Sequence, residues 1–244
     1  MPDTLRDADP SSKPPSLPIR ACIVDLDGTL IDTLGDFEVA LNAMLSELGR
    51  RQVTTAEIGR WVGKGSEHLI RTVLTNTAST AQEREGAAVE GLLPEAWRLY
   101  QQTYLRINGQ HSTVFPGARE GLDYLKSRGL PLACLTNKPL SFASPLLKAK
   151  GLSAYFSHVF GGDSFARKKP DPLPLIETCK ALACAPAETL MIGDSANDAQ
   201  AARAAGCAVV LLTYGYNHGE PVNAVDADGF FDSLTDIGPW LEAK

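Results

Sequence analysis

Five short, largely apolar runs, at residues 19–24, 130–135, 159–160, 189–192 and 208–212, alternate along this chain with stretches in which apolar side chains return every three or four residues. The runs are short enough to be strands buried on both faces. The intervening stretches, at 118–128, through Leu146 and Leu147, at 173–182 and across the alanine-rich 196–205, have helical spacing, with Gly129 and Gly206 as stops. Repeated strand, loop and helix units join through right-handed crossovers. The pattern therefore predicts an α/β fold, a Rossmann-like parallel sheet with helices on both faces. In such a sheet the loops that follow strands share one edge, and ligands bind there.

Residues 36–110 break the alternation. Phe37, Leu41, Leu45 and Leu48, with Met44 alongside, form a helical stripe that stops at Gly49. Thr54 and Glu57 have the spacing of a capping box opening a short helix toward Trp61, and Ser66 is placed to cap a helix carrying Leu69, Ile70, Val73 and Leu74. Residues 75–91 read as a loop or a solvated helix, and Pro94 as the opening of a helix bearing Trp97, Tyr100, Tyr104 and Ile107. The chain thus divides into a tail at 1–18, rich in Pro, Ser and Asp and expected to be disordered, an α/β core at 19–35 and 111–244, and an inserted α-helical cap at 36–110.

Composition adds limits to this picture. With 244 residues, 44% of them hydrophobic, the chain can bury a sizeable core. A net charge of −6 gives no reason to expect nucleic acid or an anionic membrane as a partner. No stretch reaches transmembrane length and the tail has no apolar signal region, so a cytoplasmic location is expected. The five cysteines, Cys22, Cys134, Cys179, Cys184 and Cys207, lack C-x-x-C spacing and read as free thiols, with neither disulfide nor zinc. His68, His111, His158 and His218 lack helical ligand spacing as well. None of these patterns specifies an oligomeric state.

The first strand runs into Asp25-Leu26-Asp27-Gly28-Thr29-Leu30. Side chains alternate along an extended chain, so Asp25 and Asp27 point the same way while Leu26 turns toward the core. Two carboxylates at the mouth of a buried strand repel each other unless a cation or a shared proton separates them, and a hard ion such as Mg2+ resolves the conflict. Three more loops reach the same edge, carrying Thr136 and Asn137, Lys168 and Lys169, and Asp194 and Asp198. Singly, each group has an ordinary reading: a turn at Asp27-Gly28, helix caps at Thr136 and Asp194, a solvated face at the lysines. Together they are complementary. Carboxylates suit Mg2+, while a hydroxyl, an amide and an ammonium suit the free oxygens of a phosphoryl group. The set predicts chemistry on a small phosphorylated metabolite, with one carboxylate as nucleophile and a second acid to protonate the leaving oxygen and later deprotonate water.

The segments DLDGTL, LTNKP, KKPDP and GDSANDAQAA resemble, in order and spacing, the four motifs of the haloacid dehalogenase superfamily of phosphotransferases, with a helical cap inserted after the first. The resemblance spans nearly the whole chain beyond the tail. It implies a phosphoaspartate mechanism, with Asp25 as nucleophile and Mg2+ ligand, and Asp27 as general acid/base whose backbone carbonyl also binds metal. By the same resemblance Thr136 holds phosphoryl oxygens, Lys169 neutralises charge on nucleophile and phosphate, and Asp194 completes the metal site. Asp198 holds metal-bound water or orients the lysine. An acid at position 27 argues against the dehalogenase and phosphonatase branches. The runs TNKP, KKPDPLP and LTYGYN are similar to those of phosphoglycolate phosphatases, which implies 2-phosphoglycolate as substrate. The same chemistry also serves phosphatases of other small phosphoesters, such as sugar or amino-sugar phosphates, and β-phosphoglucomutase-like mutases. A phospho-accepting signalling module also places such groups at a sheet edge, but Asp27 and a large cap favour rapid turnover over a lasting acyl phosphate.

Specificity is expected from the cap, because the core groups address the phosphate alone. Gly63-Lys64-Gly65 is the candidate substrate loop: its glycines permit close approach and Lys64 suits a small carboxylate. The same three residues also read as a turn between helices with an exposed lysine. Arg71 is a further cap cation without an assigned place.

Overall fold

In the computed structural model, which describes residues 18–242, Cys22 and Val24 face one side of β1 (Ala21–Val24) and Ala21 and Ile23 the other, all four fully buried. Next in the chain come β2 (Ile31–Asp32) and the helices α1 (Leu34–Glu47), α2 (Thr55–Trp61), α3 (Ser66–Asn76) and α4 (Gly86–Ile107). Strand β3 (Thr113–Val114) then returns antiparallel to β2. Beyond it follow α5 (Ala118–Ser127), β4 (Leu132–Leu135), α6 (Leu140–Ala149), β5 (His158–Phe160) and α7 (Leu173–Ala181). The chain continues through β6 (Thr189–Gly193), α8 (Ala196–Ala205), β7 (Ala208–Leu212), β8 (Gly229–Phe231) and α9 (Ile237–Glu242).

Six strands form one sheet in the order β5-β4-β1-β6-β7-β8, and every pairing within it is parallel. Val24 of β1 registers with Cys134 of β4 on one side and Ile192 of β6 on the other. The chain builds outward to β5 on the first side, then crosses back to lay down β6, β7 and β8 on the second. That reversal beside β1 opens a crevice at the strands' carboxyl ends. Leu122, Leu125, Leu146 and Leu147 cover one face of the sheet; Leu175, Cys179, Ala199 and Ala202 cover the other. Burial on both faces is why the strands read as near-continuous apolar runs.

Helices α1 to α4 bury a core of their own around Phe37, Leu41, Met44, Leu45, Leu69, Tyr100 and Tyr104, and Phe142 and Tyr216 from the sheet side complete it. The capping box at α2 is present, with Thr54 and Glu57 bonded reciprocally. Helix α4 differs from expectation: it starts at Gly86, and Pro94 lies inside it. Its buried stripe already begins at Val89 and runs through Leu93, Ala96, Tyr100, Tyr104 and Ile107, so packing carries the helix across the proline. At α3 the cap position belongs to Gly65, at φ +89, and Ser66 is the first helical residue. The short strands β2, β3 and β8 carry too few residues for a period to register in the sequence.

The tail expected at 1–18 lies outside the described residues except for Pro18. Among the described residues the five cysteines are free, and no helix is long and apolar enough to cross a membrane.

Candidate active site

Strand β1 delivers Asp25 to the crevice, where the Asp25 main-chain N–H still bonds to Ile192 of β6 at 2.9 Å. The chain then turns at Gly28, at φ +88, and closes with a bond from the Gly28 N–H to the Ile31 oxygen. A side chain at position 28 would overlap the Asp194 carboxylate, so glycine lets that carboxylate lie against the turn. Thr29 donates its hydroxyl to Asp194 Oδ1 at 2.7 Å, and the Tyr216 N–H donates to Oδ2 at 2.6 Å. Tyr216 in turn gives its own hydroxyl proton to Asp32 and accepts the Thr33 N–H, fixing the loop after β7 to the end of β2.

Lys169 sits at the centre of the anionic cluster. Its Nζ donates to Asp198 Oδ1 at 2.6 Å and to the Leu135 oxygen at 2.9 Å, and lies 2.9 Å from Asp25 Oδ1. Burial pulls its proton affinity down, but Asp198 and Asp25 outweigh burial and hold it above the usual lysine range. The second Asp198 oxygen accepts from the hydroxyl and N–H of Ser195, the residue that caps α8. Asp198 is therefore engaged on both sides and orients the lysine.

Burial pushes the Asp25 carboxyl up to about 7 despite Lys169. Burial, reinforced by Asp198 and Asp25, raises that of Asp194 as well. One oxygen from each of Asp25, Asp194 and Asp198 can be chosen so that all lie within 4.8 Å of one another. Three buried carboxylates facing one buried ammonium form an all-oxygen, net negative donor set, which suits Mg2+. Asp25 and Asp194 retain lone pairs for such an ion.

Thr136 accepts the Lys138 N–H at 3.2 Å, which leaves its hydroxyl proton free on the wall of a cavity shared with Asp25 and Asp27. Asn137 is employed differently from expectation. Its Nδ2 donates to the Gly63 and Lys169 oxygens at 3.0 and 2.8 Å, and its Oδ1 accepts the Lys169 N–H at 3.0 Å. Both amide protons are committed to main chain, so this side chain joins loops and has no donor left for a phosphoryl oxygen.

The sequence pattern of the haloacid dehalogenase-like hydrolases matches residues 19–206. The chain belongs to this family. It is 44% identical over 220 residues to the phosphoglycolate phosphatase of Thiobacillus denitrificans, an alignment covering 90% of this chain and 94% of that one. The phosphoglycolate phosphatase of Nitrosospira multiformis is also 44% identical, over 89% of this chain and 93% of the relative. Among solved structures, that of a predicted phosphoglycolate phosphatase from Haemophilus somnus superposes with a TM-score of 0.84 at 33% identity, over 90% of this chain and 96% of that one. The protein is thus a haloacid dehalogenase-like phosphatase.

In this phosphatase the cap closes over the site through the loop before α3. Gly63 and Gly65, at φ +116 and +89, line the cavity together with Phe37, Val62, Ser66 and Leu69. Lys64, the cap cation expected to meet substrate, is exposed and absent from that lining, because the two glycine turns bring main chain toward the cavity. Arg71 is paired with Glu67 and Glu90 on the surface. The residue that sequence reasoning passed over is Lys138, buried with its Nζ 3.0 Å from Asp27 Oδ1. Its place inside the TNKP run was the available signal.

Proposed function

We propose that this enzyme hydrolyses 2-phosphoglycolate to glycolate and phosphate through a phosphoaspartyl intermediate on Asp25, with Mg2+ as cofactor. The observation that carries the reading is the 44% identity, over 90% of this chain, to the phosphoglycolate phosphatase of Thiobacillus denitrificans, joined to a crevice where Asp25, Asp27 and Lys169 meet. Beneath the cap, two cavities of about 20 and 10 Å3 flank Asp25 and Asp27. Spaces of this order hold about one water each, less than a phosphoryl group needs, so the cap must shift to admit any phosphoester.

Asp25 attacks phosphorus as the phosphoester bond breaks, giving an aspartyl phosphate and an alkoxide that takes its proton from Asp27. Asp27 then removes a proton from water, the water oxygen attacks the acyl phosphate, and Asp25 and inorganic phosphate are released. Lys169 lies against the nucleophile and offsets its charge and that of the phosphoryl oxygens, while the free Thr136 hydroxyl donates to one of them. Asp25, Asp194 and the Asp27 main-chain carbonyl would hold Mg2+, which when bound stabilises charge on the transferring group and keeps Asp25 ionised. The Gly63 turn lines both cavities and so narrows the access of bulk water to the acyl phosphate.

The test is phosphate release from 2-phosphoglycolate, glycerol phosphates, hexose and amino-sugar phosphates, nucleotides and pyrophosphate, with and without Mg2+. A strong Mg2+-dependent preference for 2-phosphoglycolate is expected. Preference for a phosphosugar would overturn the substrate, and substantial activity in Asp25→Asn would overturn the covalent mechanism.

A further inference from the structure

Lys138 is a charged side chain with 1% of its surface exposed, set where the leaving group must lie. Its Nζ is 3.0 and 3.1 Å from the two Asp27 oxygens, and 4.4 and 4.8 Å from the ring centroids of Phe37 and Tyr104. A buried ammonium is costly to maintain, and one carboxylate with two ring faces does not fully satisfy three N–H donors. The rest of its surroundings is the larger of the two cavities, walled by Phe37, Val62, Leu69 and Ser66. An anion entering that cavity meets an ammonium already desolvated and already oriented by Asp27 and the rings.

The other basic groups near the site are accounted for differently. Lys169 is held by Asp25, Asp198 and the Leu135 oxygen. Lys64 and Lys168 are exposed, and Arg71 is paired with two glutamates. Among the described residues, the cations lining the two cavities are Lys138 and Lys169 alone. One stands on the leaving-group side and the other on the phosphoryl side. A substrate whose leaving oxygen contacts Asp27 and carries a carboxylate one carbon away presents that carboxylate to the neighbour of Asp27, which is Lys138.

We propose that Lys138 binds the substrate's carboxylate and is the residue that sets preference for an anionic leaving group. This rests on the 2-phosphoglycolate reading above. It moves specificity from the cap to the core loop after β4: the cap supplies shape through Phe37, Val62, Leu69 and Ser66, and the core supplies the charge. It also couples selection to catalysis, because one ammonium touches both the general acid and the group that identifies the substrate.

The experiment compares kcat/KM for 2-phosphoglycolate and for its uncharged counterpart, 2-hydroxyethyl phosphate, in the wild type and in Lys138→Met, with Lys64→Ala and Lys168→Ala in parallel. The wild-type ratio is read first, and its absence would overturn the substrate reading itself. Given a wild-type preference, Lys138→Met is expected to slow both substrates, since Asp27 loses its partner, but to shrink the ratio by at least about tenfold, the usual scale of a charge-assisted contact. Lys64→Ala and Lys168→Ala are expected to keep the ratio. If Lys138→Met does not fold, Lys138→Gln, which can still donate to Asp27 without a charge, gives the same reading. Equal losses for both substrates, or a ratio that collapses only in the Lys64 or Lys168 variant, would overturn the proposal and leave Lys138 as a positioning residue for Asp27.

Discussion

The Asn137 amide donates to the main-chain oxygen of Gly63 across 3.0 Å, tying the core loop after β4 to the turn that closes the cap. The same Gly63 oxygen accepts a second, longer bond from Asn197 at 3.3 Å. Asn137 on the loop after β4 and Asn197 in the first turn of α8 thus hold one cap carbonyl, but their other duties differ. Asn137 also bonds the Lys169 N–H and oxygen, whereas the other side-chain hydrogen bond of Asn197 among the described residues is to the His218 ring. Asn137→Ala is therefore expected to lower stability by about 2–4 kcal/mol, because it orphans buried main-chain groups. Asn197→Ala should change stability by less than about 1 kcal/mol while raising KM several-fold through weaker closure. Urea denaturation and steady-state kinetics separate the two effects, and an unchanged KM in Asn197→Ala would show that the second bond does not hold the cap.

Asp25 and Asp194 make stability depend on pH in a defined direction. With Asp25 raised from 3.8 to about 7, and Asp194 raised too, the folded enzyme keeps protons that the unfolded chain releases. Below about pH 4 both states hold them and there is no penalty. Between about pH 4 and 7 stability should fall as pH rises, by a few kcal/mol in total, and the Asp25 contribution should level off above 7. Mg2+ favours the ionised carboxylates, so it should raise Tm more at pH 8 than at pH 5. Thermal unfolding at several pH values, with and without Mg2+, reads both effects. A Mg2+ response larger at pH 5 would contradict the assignment.

Lys169 is the cation that makes this acid cluster tolerable in the folded chain. Lys169→Met should cut kcat roughly 10³-fold, the scale of losing a preorganised charge at a transferring group. It should also destabilise the enzyme by about 3–5 kcal/mol near neutral pH, since Asp198 and Asp25 lose their buried partner. A variant with near-normal kcat would mean that another cation serves the phosphoryl group.

Much of this site was legible because its chemistry follows directly from strand ends. Asp25, Asp194 and Thr136 sit within two residues of β1, β6 and β4, so alternation and sheet topology place them. Lys138 was not legible in the same way. Its partner Asp27 lies 111 positions away, and the rings that enclose it come from α1 and α4 of the cap. Asn137 carried a correct location and a different task, because local sequence cannot show that a turn of the cap would arrive to take its amide proton. The start of α4 was obscured for the opposite reason: a local rule about Pro94 was overridden by a packed stripe that continues through it.

Asp27 is expected to matter in both halves of the reaction. In Asp27→Asn the leaving alkoxide loses its proton donor and the attacking water its base, which lowers turnover by roughly 10²–10⁴-fold. With an activated substrate whose leaving group needs no proton, the first half should survive and the second should not. Aspartyl phosphate is then expected to accumulate, and acid quenching followed by intact-mass measurement detects it. No trapped phosphate under those conditions would remove Asp27 from the second step.

Gly215 and Gly28 provide the sharpest structural test of the Asp194 site. An added Cβ at either position would overlap the Asp194 side chain, but only Gly28 has positive φ, at +88. Gly215→Ala should therefore act mainly by displacing Asp194, costing about 1–3 kcal/mol of stability and about tenfold or more in Mg2+ affinity. Gly28→Ala adds backbone strain of about 1–2 kcal/mol to the same displacement. Gly206→Ala is the control: it has φ +81 at the end of α8 and open space around its Cβ, so it should lose about 1 kcal/mol and keep its Mg2+ affinity. Mg2+ titration followed by the shift in Tm ranks the three variants. If Gly206→Ala weakened Mg2+ as much as Gly215→Ala, the effect would be one of general stability, and the close approach of Asp194 to the Gly215 backbone would not explain the glycine.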